Sequence, residues 1–92
     1  MAVIWDIDKE RKLFAERNID LCEVAELIVA GKYLDIIDHP GRTTQQLFII
    51  RYRNYTHVVP FIIDSEENII LKTVFPSRKF HQLYGAHHED KT

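Results

Sequence analysis

A short set of bases, imidazoles and phenols carries the chemistry open to this chain: Arg51, Tyr52, Arg53, Tyr55, His57, Lys72, Arg78, Lys79, His81 and Tyr84. Metal-free cleavage of RNA needs a group to take the 2′-hydroxyl proton, countercharge for a pentavalent phosphorane, and a proton for the leaving 5′-oxygen. Histidine can serve as base or acid near neutral pH, and arginine and lysine supply the countercharge. Aromatic rings stack splayed-out bases. His57 is the candidate proton-transfer group, and Arg51, Arg53, Lys72 and Tyr84 are candidate RNA contacts. Each also has a plain packing alternative: Arg51 and Lys72 as snorkelling strand residues, the tyrosines as cross-strand pairs, His57 as a satisfied half-buried histidine.

Other chemistries lack their residues. There is no glycine-rich phosphate loop, no Gly-x-Ser-x-Gly elbow and no His-Glu-x-x-His. His39, His57 and His81 are scattered, and His87-His88 has no cysteine or carboxylate partners at ligand spacing, so neither a metal nor a cofactor is expected.

The elements that must position these groups follow from periodicity and punctuation. Val3-Ile4-Trp5 reads as a first strand, and Asp8 as the N-cap of a helix from about Lys9 to Arg17 with Leu13 and Phe14 on the core. Asp20 and Glu23 have capping-box spacing; Leu21, Val24, Ala25 and Ile28 form the apolar stripe of a second helix that Gly31 closes. Four strand-like runs follow, Tyr33 to Asp38, Leu47 to Tyr52, Tyr55 to Ile63 and Ile69 to Phe75, with a turn-rich loop from His39 to Thr44, a two-residue hairpin at Arg53-Asn54 and a turn at 65–68. That hairpin pairs Tyr52 with Tyr55 and Ile50 with His57, placing Tyr52, Tyr55 and His57 on one face and Arg51 on the other; continuing the register puts Lys72 beside Phe61 on the first face. Pro60, inside a strand, predicts a bulge or an edge position, and Pro76 predicts a strand end that leaves Ser77, Arg78 and Lys79 at its lip to meet a phosphate. A last helical turn spans Phe80 to Tyr84.

The predicted fold class is therefore α+β: two N-terminal helices packed on an antiparallel β-meander of about four strands, with a short C-terminal helix, in one domain over residues 1–85 and a flexible tail over 86–92. The strands at 47–52 and 58–63 are apolar on both faces, so the side opposite the helices is either capped by the C-terminal segment or kept for a partner. Ninety-two residues make a small core, which favours a partner or a second copy. Cys22 cannot form an internal disulfide and reads as a buried thiol in a reducing cytoplasm; no apolar run approaches the roughly 20 residues of a membrane span, and no signal peptide is evident. The net charge of −2 argues against a general nucleic-acid binder, yet residues 1–41 carry −4 and residues 42–92 carry +2, so positive charge gathers on the predicted sheet.

Trp5-Asp6-x-x-Lys9, Ile19-Asp20-Leu21-x-Glu23-Val24-Ala25, the meander, and Ser77-Arg78-Lys79 after the last strand occur in this order over residues 3–84. In these motifs the chain resembles the BrnT-type toxins of bacterial type II toxin–antitoxin systems, which are ribonucleases of RelE-like fold. The resemblance implies a metal-independent mRNA interferase that inhibits translation, acts on RNA free or on the ribosome, and is neutralised by an antitoxin encoded by a neighbouring gene. It makes Arg78 and Lys79 the candidates for phosphate contact or transition-state stabilisation. Family members often extend that motif into a strongly basic helix, whereas this chain continues Phe80-His81-Gln82-Leu83-Tyr84, and it has Asn18 and Asp20 where glycine and serine are common. The rival reading is a non-catalytic interaction module of the same fold that pairs with a DNA-binding antitoxin in transcriptional autoregulation; the acidic N-terminal half favours it.

Overall fold

The computed structural model describes residues 1–85; the expected tail at 86–92, with His87 and His88, lies outside the described residues. Helix α1 spans Ile7–Arg17 and starts two residues earlier than the sequence predicts. The cap is Asp6, not Asp8: Asp6 is extended and its Oδ1 accepts from Asp8 N–H at 2.7 Å, while Asp8 and Glu10 put negative charge in the first turn. Asn18 ends the helix in the left-handed region (φ 54°). Leu13 is buried as expected, but Phe14 is 58% exposed, one position off the narrow buried stripe.

Helix α2, Leu21–Val29, buries the expected Leu21, Val24, Ala25 and Ile28. Gly31 (φ 72°) closes it in a Schellman motif, with Lys32 N–H on Leu27 O at 2.8 Å and Gly31 N–H on Ile28 O at 3.1 Å. Asp20 is the cap, accepting from Cys22 N–H, but the reciprocal half of the capping box is absent. Glu23 instead accepts from the Tyr52 hydroxyl at 2.9 Å, and that hydroxyl accepts from Asp20 N–H at 3.0 Å. The sheet thus completes the helix cap. Cys22 falls off the buried stripe and is exposed rather than buried; partial desolvation and the carboxylates of Glu10, Asp20 and Glu26 raise its pKa, so the thiol is poorly nucleophilic.

The strands are β1 Val3–Ile4, β2 Asp35–Asp38, β3 Gln46–Tyr52, β4 Tyr55–Ile63, β5 Ile69–Leu71 and β6 Phe75–Pro76. They form one sheet in the order β1-β5-β4-β3-β2, with β6 also paired to β4; β1 runs parallel to β5 and the other pairs are antiparallel. The α+β meander is as predicted, widened by the two short strands. Arg53 and Asn54 both have positive φ (52° and 64°), which makes the hairpin a type I′ turn and sets Tyr52 opposite Tyr55 and Ile50 opposite His57.

The run at 69–75 is not one strand. β5 pairs Phe61 with Leu71, and β6 pairs Val58 with Phe75, so two residues of β4, Val59 and Pro60, face three, Lys72, Thr73 and Val74. The bulge lies on the partner strand and not at Pro60, which is buried in the sheet interior opposite Leu47. In the β4–β5 register Pro60 faces Lys72: Lys72 N–H donates to Pro60 O at 2.8 Å, but proline has no N–H to return. Lys72 O is taken by Lys9 Nζ at 2.7 Å. This register corrects the expected position of Lys72, which lies beside Pro60 and out of phase with Phe61.

The one-residue slip sends neighbouring side chains to opposite faces. Leu71 and Val74 join the main core with α1, α2, Phe48, Ile50, Tyr52 and Phe61. Phe75 joins a second cluster on the other face, where Leu47, Ile49 and Val58 are covered by Leu34, Ile37, Phe80 and Tyr84. The C-terminal segment therefore caps that face. It begins at Arg78, with α3 spanning Arg78–Phe80 behind a Ser77 cap and a π-helical turn over His81–Gly85. Tyr52→Phe removes the hydroxyl that pairs Asp20 N–H and Glu23; it is expected to destabilise the protein by about 1–3 kcal/mol, the cost of leaving such a donor unpaired, as read by urea unfolding.

Candidate active site

His57 lines a cleft of about 520 Å³ together with Arg17, Ile19, Phe75 and Pro76. Its place is set by the I′ hairpin, and Pro76 of β6 is its direct cross-strand neighbour. The residue is 8% exposed, and its ring meets Tyr52 and Tyr55 edge-on at centroid distances of 5.2 and 6.2 Å. Burial lowers the His57 pKa below its ordinary 6.5, with the Arg53 charge acting in the same direction and the Tyr55 carbonyl against it. The neutral ring is thus favoured at pH 7. Nδ1–H donates to Tyr55 O at 2.9 Å, which fixes the tautomer and leaves the lone pair on Nε2. Among the described residues no buried side-chain nitrogen or oxygen lacks a partner. Among the described residues Nε2 has no hydrogen-bond partner, so it keeps contact with solvent beside the cleft that His57 lines. Such a nitrogen is equipped to accept a proton from a hydroxyl.

Arg17, the last residue of α1, stands across the same cleft, with Nη1 donating to Val74 O at 3.1 Å. The sequence does not single it out. Its only signal is an arginine closing a helix just before a left-handed cap, and nothing local links it to a bulge carbonyl 57 residues away. The rest of the guanidinium is available as fixed countercharge.

The other candidates are dispersed. Arg78 and Lys79 open α3 two and three residues beyond Pro76 and are exposed; Lys79 Nζ lies 5.6 Å from the Phe80 ring. Arg53 is a clamp, donating to Asn18 O and, at 3.0 Å, to Glu23 Oε1, with its guanidinium 4.9 Å from the Tyr52 ring centroid. Arg51 points to the opposite face, toward Gly85 O at 3.5 Å. Tyr84 donates to Asp35 at 2.8 Å in the second core, an interaction that raises its pKa together with burial. Lys72 sits at the bulge. His81 is structural: Nδ1 accepts from Thr56 N–H at 3.3 Å, contacts Thr56 Oγ1 at 3.0 Å, and the ring stacks on Tyr55 at 4.1 Å. Its ring substitutes for a strand acceptor that β6 does not supply. Among the described residues no cluster of three or more histidine, cysteine, aspartate or glutamate side chains has the arrangement to hold a metal ion.

Two N-terminal helices on a mostly antiparallel sheet, closed by a short C-terminal helix, make a BrnT- and RelE-like fold. Among solved structures the chain is similar to the 1.1 Å crystal structure of the Brucella abortus ribonuclease toxin BrnT, at a TM-score of 0.64 and 17% identity over 84% of this chain and 96% of that one. No family model and no curated protein matches the sequence. At this identity the likeness establishes the fold, in agreement with the motif resemblance.

Because the folded state holds His57 below its ordinary pKa, the unfolded chain binds the proton more readily. Stability is therefore expected to be intact above the unfolded value of 6.5 and to fall as pH drops below it. Thermal midpoints at about pH 7.5 and about pH 5.5 should differ less in His57→Gln than in the parent protein; an equal difference would remove His57 as the source.

Proposed function

We propose that this protein is a metal-independent endoribonuclease, the toxin of a type II toxin–antitoxin pair, cleaving message in the cytoplasm and so inhibiting translation. The observation that carries this reading is the open Nε2 of a neutral, tautomer-fixed His57 in a cleft shared with Arg17, on a fold matched to a ribonuclease toxin. In this reading His57 Nε2 takes the 2′-hydroxyl proton and the oxygen attacks the adjacent phosphorus. Arg17, with Arg78 and Lys79 from the start of α3, neutralises the phosphorane. The products are a 2′,3′-cyclic phosphate and a 5′-hydroxyl, the latter protonated by the imidazolium or by solvent.

An antitoxin encoded alongside would cover the cleft and the Arg78–Lys79 end. The sheet's second face is not its seat, because Phe75, Phe80 and Tyr84 already cover that face. Among the described residues no helix is long and apolar enough to cross a membrane. The reading as a non-catalytic partner of a DNA-binding antitoxin draws support from the internal engagement of Arg53 and Tyr84.

Induction in a bacterial host is expected to arrest growth and fragment message, with relief by the neighbouring reading frame. His57→Ala should lower cleavage of a synthetic RNA by about a hundred- to ten-thousand-fold while the protein stays folded. Arrest with intact RNA, or undiminished cleavage by the folded variant, would reject respectively the activity and the assignment of its base.

A further inference from the structure

On the other side of the bulge from His57 lies a second cavity, of about 310 Å³, lined by Lys9, Lys72, Arg42, His39, Gln45 and Thr73 together with Pro60 and Phe75. No carboxylate lines it, and among the described residues the one ion pair is Arg53–Glu23, on another part of the surface. Three cations therefore line it without a carboxylate, and an anion entering it would offset their mutual repulsion. The wall is fixed. Lys9 is anchored through Lys72 O, which uses one of its three donors. His39 Nδ1 accepts from Gly41 N–H at 3.0 Å, so the ring offers Nε2–H. Gln45 N–H is bonded to Arg42 O, holding the loop closed.

The cavity neighbours the cleft. Phe75 lines both, and a smaller recess between them shares Lys9 and Thr73 with one and Arg17 with the other, adding Lys12 and one carboxylate, Glu16. The segment from Lys72 to Pro76 spans at most about 14 Å when extended, a few nucleotides of single-stranded RNA. We propose that the Lys9, Arg42, Lys72 and His39 cavity is a phosphate subsite that holds the RNA backbone a few nucleotides from the bond presented to His57. The proposal rests on the ribonuclease reading for its ligand, but binding and cleavage separate in the test.

The probe is a single-stranded RNA carrying 2′-O-methyl groups, which cannot be cleaved by 2′-attack, bound to the full chain at several salt concentrations and read by fluorescence anisotropy. The comparison is Lys72→Gln/Arg42→Gln, checked for folding by circular dichroism; neither side chain holds the sheet together. The double variant should bind at least tenfold more weakly, and the slope of log affinity against log salt should fall by about 0.7 for each phosphate that the protein no longer neutralises. An unchanged affinity and slope, or a parent protein that does not bind the probe, overturns the subsite. Loss of binding in the variant, with no cleavage of unmodified RNA by the parent, supports the subsite and rejects the ribonuclease.

Discussion

The missing amide of Pro60 is the constraint on which the site depends. A proline in an interior strand must face a neighbour that asks for no hydrogen, and here the neighbour answers by bulging. Lys72 still donates to Pro60, but its carbonyl is left to Lys9, and two residues on Val74 offers its own carbonyl to Arg17. Two cations from one helix are thereby drawn to consecutive points along the bulge. The same extra residue turns Phe75 onto the second face and brings Pro76 beside His57. One backbone hydrogen, absent by composition, thus goes with the position of Pro76 beside His57 and with the anchoring of Lys9 and Arg17 on the bulge, while the hairpin places His57 itself.

The second organising contact is the Tyr52 hydroxyl. By accepting from Asp20 and donating to Glu23 it acts as the third member of a helix cap, while its ring packs in the main core and against the edge of His57. Arg53 adds the turn between the helices to the same assembly. The hairpin tip, the α1–α2 turn and the wall of the cleft are consequently one rigid piece, which suits a histidine whose tautomer is set by backbone geometry.

Much of this is legible in the residues. The α2 stripe, the Arg53-Asn54 hairpin and the Ile50–His57 register follow from side-chain period and turn chemistry, both local properties. The cleft is half visible: residue type points to His57 but not to Arg17, whose partner is a carbonyl created by a bulge. Pro60 does announce an irregularity, yet a missing donor can be accommodated on either strand, and the sequence does not say which. The first helix cap falls two residues from its expected place because Asp6 and Asp8 are chemically equal there and only backbone conformation separates them. Hydrophobicity assigns Phe14 and Cys22 to the interior, while the narrow contact between each helix and the sheet leaves them outside.

The order of chain synthesis gives the parallel pairing of β1 with β5 a further meaning. Val3 waits for Ile69, and the cleft takes residues as far apart as Arg17 and Pro76. The hairpin of β3 and β4 can form early from near neighbours, whereas contacts of such sequence separation form late. The cleft is therefore complete only once Arg17 and Ile19 from one part of the sequence meet Phe75 and Pro76 from another.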